Sequence, residues 1–142
     1  MVLHAAAIGG GVLSQTAEYA LRAVLAIAAD REGQPLGAAR LAGVLGIPHN
    51  YLSKTLHQLA RAGVLESNRG KLGGFRLARS ADRITLLEVV SPFDDVSGRR
   101  VCLLGRPVCS DQNACAAHAR WKAVSDRTAT FFRETTVADL AK

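Results

Sequence analysis

At 142 residues the chain suits one domain, or one small domain with an extension, and its 49% hydrophobic content is enough for a core. Aromatic residues make up only 5%, with alanine and leucine dominating the apolar set, which argues for helices and against a β-sandwich. The net charge of +6 is uneven: residues 12–80 hold nine Lys/Arg against four Asp/Glu and residues 81–142 hold nine against eight, so the basic surplus lies in the N-terminal half, where it suits a phosphate-bearing partner.

No stretch approaches the roughly 18 apolar residues of a membrane span. The opening MVLHAAAIGGGVLS lacks the basic start of a signal peptide. A cytoplasmic protein without a membrane partner is expected, with residues 1–11 as a flexible extension. The first helix is expected over 15–29, QTAEYALRAVLAIAA, where Leu21, Val24, Leu25 and Ala28 follow the i, i+3, i+4, i+7 pattern of one face. Ser14 or Thr16 can cap it. A short helix follows at about 37–45, then a Gly46-Ile47-Pro48 turn, then a longer helix over PHNYLSKTLHQLARAG. In that helix Leu52, Thr55, Leu56 and Leu59 form the apolar stripe and Gly63 terminates it. The opposite face carries His49, Asn50, Ser53, Lys54, His57, Gln58 and Arg61, mostly donors and none acidic.

VLESN and FRLAR read as two short strands joined by RGKLGG, a hairpin tip with two cations and three glycines. Helix, short helix, turn, longer helix and two-stranded wing make a winged helix-turn-helix over residues 12–80. Such a unit can place its second turn helix in a major groove and its wing against phosphates or a minor groove. The candidate contacts to double-stranded DNA are His49, Asn50, Tyr51, Ser53, Lys54 and His57 on the helix, with Arg69, Gly70, Lys71, Gly73 and Gly74 on the wing. Residues 81–97 are expected to be a connecting helix opened by a Thr85-x-x-Glu88 capping box. Residues 98–114 form a loop without periodicity. A helix follows from about Cys115 to about Glu134, inside a closing segment 115–142. Its stripe of Trp121, Val124, Thr128, Phe131 and Phe132 has little of its own chain to cover it, which implies a second copy. The fold class is thus mostly α with a small β-wing.

The motifs LSQTAEYALRAVLAIA, IPHNYLSKTLHQLARAGVLES, RGKLGGFRLAR and CAAHARWKAVSDRTATFFRETTVADL resemble the Rrf-type transcriptional regulators, the family of IscR, NsrR, RirA and CymR. The family's wing pattern, Arg-Gly-x-x-Gly-Gly-aromatic, matches Arg69 to Phe75, and the resemblance covers roughly residues 12–141. It implies a homodimeric transcription factor whose long C-terminal helix crosses to the partner. It also implies that the loop before that helix holds an iron–sulfur cluster in many members.

All three cysteines fall in that loop, spaced Cys102-x6-Cys109-x5-Cys115, with His118 three residues beyond the last. A disulfide would leave one thiol over, and reduced cytoplasmic thiols clustered in a loop more often bind metal or sense redox state. Zinc sites show tighter Cys pairs, whereas iron–sulfur clusters accept wider, loop-borne thiolates with histidine sometimes replacing one. The resemblance implies Cys102, Cys109 and Cys115 as ligands, with His118 as the fourth in the IscR manner and a 2Fe-2S cluster in preference to 4Fe-4S. Glu18 of the first helix is the alternative fourth ligand. The first gap holds six residues where the IscR pattern has five. Redox state, nitric oxide or iron–sulfur status would be the signal. A cluster-free repressor switched by cysteine oxidation or by a partner protein is the alternative. A small thiol redox enzyme is a third reading, against which stand the missing Cys-x-x-Cys, nucleotide-binding glycines and Ser/His/Asp arrangement. No small-molecule substrate and no catalytic residue are expected.

Overall fold

The computed structural model describes residues 12–96, 102–108 and 110–141. The expected extension at residues 1–11 lies outside them, as does Cys109. The chain begins with α1 (Gln15–Ala29), whose N-terminus is closed by the Ser14 hydroxyl accepting the Ala17 N–H. The fully buried residues of α1 are Ala17, Ala20, Ala23, Val24 and Ile27. The expected stripe shared only Val24 with this set; Leu21, Leu25 and Ala28 are half-buried at its edges. α1 is the central helix of the head, packed on by most of the later elements. Neighbours on several sides need a close approach, which alanine permits and leucine does not.

α2 (Ala38–Leu45) stops at Gly46, whose φ of +68° is the left-handed cap expected of glycine. The Ile47 N–H returns to the Ala42 carbonyl at 3.1 Å, and the Arg22 guanidinium of α1 donates to the Leu45 carbonyl at 2.8 Å. Pro48 then leads into α3 (His49–Arg61), which buries Leu52, Thr55, Leu56 and Leu59 as its periodicity predicts. Gly63 ends the helix, and the Val64 N–H turns back to the Leu59 carbonyl at 3.0 Å.

The wing pairs β1 (Leu65–Asn68) antiparallel to β2 (Gly74–Leu77), with Leu65 opposite Leu77 and Asn68 opposite Gly74. The strands are slightly shorter than VLESN and FRLAR suggest. A single residue from before α2 adds to this sheet: Leu36 and Phe75 exchange backbone hydrogen bonds of 2.9 and 2.8 Å. Gly74 makes this possible, because a Cβ there would stand 2.5 Å from the Leu36 carbonyl carbon. Phe75 itself enters the core beside Leu36, Leu41 and the leucines of α3.

A 3₁₀ turn (Ala81–Arg83) leads to α4 (Leu86–Val90), which carries the expected capping box: Thr85 accepts the Glu88 N–H while the Glu88 carboxylate accepts the Thr85 N–H. The long helix α5 spans His118–Glu134 and so starts three residues later than expected. Cys115 belongs to the loop: its thiol lies against Cys102, and its carbonyl accepts the His118 N–H in a preceding turn. α6 (Val137–Leu140) repeats the capping-box device with Thr136 and Asp139. The two caps face each other through a Thr85–Thr136 bridge, with Leu86 N–H to Thr135 O at 2.9 Å and Val137 N–H to Ile84 O at 2.8 Å. This clasp fixes the C-terminal end of α5 to the head. Among the described residues no helix is long and apolar enough to cross a membrane.

Candidate nucleic-acid interface and cysteine loop

The α3 face predicted to read DNA is open to solvent. His49, Asn50, Tyr51, Lys54 and His57 are exposed and Ser53 is half-buried. Tyr51 also has a structural tie: its hydroxyl pairs with that of Thr16, and its ring meets Tyr19 edge-on at 5.6 Å. The reading helix is therefore braced against α1. His57 lies edge-on to Phe75 at 5.2 Å, which braces the same helix against the wing. Between them runs an open groove of about 810 Å³ lined by His57, Arg61, Ser67, Asn68 and Arg76 among others.

At the wing tip Arg69, Gly70 and Lys71 are exposed, whereas Gly73 and Gly74 are half-buried. Those last two glycines have a packing reason for their type. A Cβ on Gly73 would lie 2.4 Å from the Asn68 carbonyl oxygen, and one on Gly74 would collide with the Leu36–Gly37 backbone. Arg76 is engaged by Glu66 at 3.1 Å, while neither Arg69 nor Lys71 has an acidic partner among the ion pairs of the described residues. Cations without a carboxylate partner suit phosphate contact.

In the cysteine loop, Cys102 is buried and Cys115 half-buried, both as free thiols, with their sulfurs 3.8 Å apart. The Cys102 thiol is held below its ordinary pKa, chiefly by the backbone N–H of Arg106. The N–H of Leu104, the Cys115 thiol and the Arg106 charge act in the same direction, while burial opposes them. Gly105, with φ +81°, turns the chain so that its own N–H reaches the Cys102 carbonyl at 3.1 Å. The Arg106 side chain crosses the loop to the Asn113 carbonyl at 2.7 Å. His118 is buried at 6% exposure and its Nε2 lies 2.7 Å from Asp111 Oδ1. Lys122, one turn further along α5, approaches the same carboxylate at 3.3 Å. Among the described residues no group of three His, Cys, Asp or Glu side chains gathers at a metal-binding spacing. Cys109 is not among those residues.

Glu18 sits elsewhere. It pairs with Arg22 at 3.8 Å and lines an apolar groove of about 610 Å³ with Val12, Leu21, Arg127, Thr128 and Phe131. Arg127 follows His118 by nine residues in α5, which at 1.5 Å per residue is about 14 Å along the axis. Glu18 is thus far from its own chain's loop. Spacing reasoning missed Asp111, Arg106 and Thr16, since nothing in their local pattern marks a residue that positions another.

The family model described as Rrf2, iron-dependent transcriptional regulator, matches residues 13–142. The chain belongs to the Rrf2 family. Among its relatives, a protein of Aquifex aeolicus (strain VF5) named as an HTH-type transcriptional regulator is 34% identical over 131 residues, covering 91% of this chain and 90% of that one. The HTH-type transcriptional regulator IscR of Escherichia coli O1:K1 / APEC is 31% identical over 128 residues, covering 90% and 78%. Two solved structures share the fold: CymR, the global cysteine regulator of B. subtilis, with TM-score 0.78 at 22% identity over 93% of this chain and 97% of that one, and T. potens IscR, with TM-score 0.72 at 22% identity over 94% and 88%. The expected winged helix-turn-helix and the Rrf-type resemblance hold. The thiol-enzyme reading falls, because the relatives regulate transcription and the chain is no enzyme.

Proposed function

We propose that this Rrf2-family regulator works as a homodimer on double-stranded DNA in the cytoplasm. We further propose that it senses redox state, nitric oxide or iron–sulfur status through a cluster held by Cys102, Cys109, Cys115 and His118, with 2Fe-2S favoured over 4Fe-4S. The observation that carries this reading is the Cys102–Cys115 separation of 3.8 Å. Two thiolates bound at about 2.3 Å to one tetrahedral ion stand about 3.8 Å apart, so this pair has the bite of a chelate. The acid-shifted Cys102 thiol fits the same role, since the ligand is the thiolate. His118 follows Cys115 by one turn and carries a carboxylate on its Nε2, the usual arrangement behind a liganding imidazole. A bound cluster would supply an iron–sulfide unit whose potential responds to hydrogen bonds on its sulfurs and to exposure. The Arg106 and Leu104 N–H groups on Cys102 are such bonds.

The rest of the chain supports a reading head coupled to that loop. α3 offers His49, Asn50, Tyr51, Ser53, Lys54 and His57 to base edges and phosphates of a major groove. Arg69 and Lys71 on the wing reach the flanking backbone or minor groove, with Gly70 allowing close approach and Gly73 and Gly74 holding the wing's shape. α5 begins directly after the loop and is clasped to the head at its far end. A rearrangement around Cys102 and Cys115 therefore bears on how α5 presents the head to its partner, a shift between binding and non-binding populations. Purification without oxygen tests the claim. The expected result is a coloured protein with about two irons and two acid-labile sulfides per chain. A colourless protein, still free of iron and sulfide after reconstitution, overturns it. In that case the cluster-free regulator switched by thiol oxidation stands, a reading favoured by the contact of the two sulfurs. Glu18 is an alternative fourth ligand only when supplied by a second copy, given its distance from its own loop.

A further inference from the structure

The contact between Cys102 and Cys115 carries a second chemistry. We propose that these two residues, and not Cys109, form an intramolecular disulfide when the chain is free of a cluster and meets a two-electron oxidant such as hydrogen peroxide. The inference deepens the reading of the same loop and uses the same two thiols.

Both thiols are free and their sulfurs lie 3.8 Å apart. Closing to a disulfide's roughly 2.05 Å asks for an approach of under about 2 Å. Neither residue is part of a regular element, since Cys102 precedes a turn and α5 starts only at His118. The adjustment therefore falls on loop backbone and side-chain rotation, not on a helix. The two residues are 13 apart in the chain, so the bond would close a short loop around Arg106 and Asp111.

The steps balance as follows. The Cys102 thiolate attacks one peroxide oxygen; an S–O bond forms, the O–O bond breaks, and the departing hydroxide takes up a proton to become water. Cys102 is now a sulfenic acid. The Cys115 sulfur attacks the Cys102 sulfur; the S–S bond forms, the S–O bond breaks, and the hydroxyl leaves with the Cys115 proton as a second water. Two thiols have lost two electrons and one peroxide has been reduced to two waters. The same bond results if Cys115 attacks the peroxide first, because the two sulfurs are 3.8 Å apart in either order.

The bond has two consequences. It consumes two donors at once, so disulfide and cluster are mutually exclusive states of one loop. It also keeps both sulfurs on the reversible side of the oxidation ladder, and a thiol reductant restores the pair. An oxidised chain is thus stored, not destroyed.

The test uses the cluster-free full-length chain, treated with one equivalent of hydrogen peroxide, alkylated, and cleaved before Asp111 to separate Cys115 from Cys102 and Cys109. The expected result is one disulfide per chain joining Cys102 to Cys115, with the alkyl label on Cys109. Dithiothreitol should reverse it, and the Cys109→Ser variant should form it equally. A bond that includes Cys109, a bond between chains on a non-reducing gel, or three alkylated cysteines overturns the proposal. Failure of the cluster reading shows separately, in iron and sulfide counts on reconstituted protein that has met no peroxide.

Discussion

Cys102 is set apart from an ordinary cysteine by its surroundings. The Arg106 N–H, the largest influence, favours its thiolate, with the Leu104 N–H, the Cys115 thiol and the Arg106 charge adding to it and burial working against it. A depressed pKa means that the thiolate persists as pH falls below the ordinary thiol range. In cluster-free Cys109→Ser protein, site-resolved alkylation of Cys102 should therefore stay fast at pH values where an unperturbed thiol has slowed. A half-maximal rate at or above the ordinary thiol pKa would reject that account. Asp111 is the second residue with a definite expectation. Its carboxylate holds the His118 ring at 2.7 Å and is itself approached by Lys122. Partners of this kind typically contribute about 10–100-fold to metal affinity. Asp111→Asn should leave the fold intact while raising the rate at which a chelator bleaches the loaded protein by at least about 10-fold. An unchanged rate would show that the contact with His118 has no bearing on the ligand set. Of this loop, the thiols and the imidazole proposed as ligands were legible in the sequence because cysteine and histidine carry their chemistry wherever they sit. The residues that tune them were not, because Asp111 and Arg106 act through loop contacts that no periodicity encodes.

The elements divide in a similar way. α3 was readable throughout, since Leu52, Thr55, Leu56 and Leu59 are large apolar residues at helical spacing with a glycine just past the end. The Thr85–Glu88 capping box was readable for the same reason, a local signal with a local effect. α1 was harder. Its buried face is largely alanine, which serves equally on a surface, so the leucine spacing marks the edges of that face and not its centre. The start of α5 was misplaced because Cys115-Ala-Ala-His reads as helix, while the thiol contact with Cys102 holds Cys115 in the loop. The Leu36–Phe75 bridge was invisible, since one residue of extended chain leaves no pattern. That bridge makes a sharp prediction. Gly74→Ala places a Cβ 2.5 Å from the Leu36 carbonyl carbon, and backbone cannot yield as a flexible side chain would. The wing must detach from Leu36 or shift its register. We expect a loss of about 2–3 kcal/mol in denaturant unfolding, together with weakened DNA binding because the wing carries Arg69 and Lys71. Full stability in the alanine variant would mean that the bridge contributes nothing to the head.

For the whole molecule the open matter is how one head becomes a reader of an operator. The stripe expected on α5 splits in the structure. Phe132 turns into the head's own core, while Phe131 and Val124 stay 49% and 52% exposed. Beside Phe131 the apolar groove runs past Leu21 to exposed Val12 and Leu140. An uncovered face of this kind on the helix after the cysteine loop fits a second copy, and the proposed dimer would have a measurable electrostatic signature. Each phosphate neutralised adds about 0.9 to the slope of log K against log salt. If Arg69 makes one such contact per wing, Arg69→Ala should reduce the slope by about 0.9 for a single head and by about twice that for a symmetric pair. The paired variant Val124→Glu with Phe131→Glu places charge in the uncovered face and keeps Phe132 in the core, which loses only its edge-on neighbour Phe131 at 5.2 Å. It should sediment as a monomer with an unchanged circular dichroism spectrum, and the slope change caused by Arg69→Ala in that background should fall to the single-head value. A dimer that survives both glutamates would move the interface off this face of α5, and an Arg69→Ala slope that ignores oligomeric state would deny the wing its phosphate.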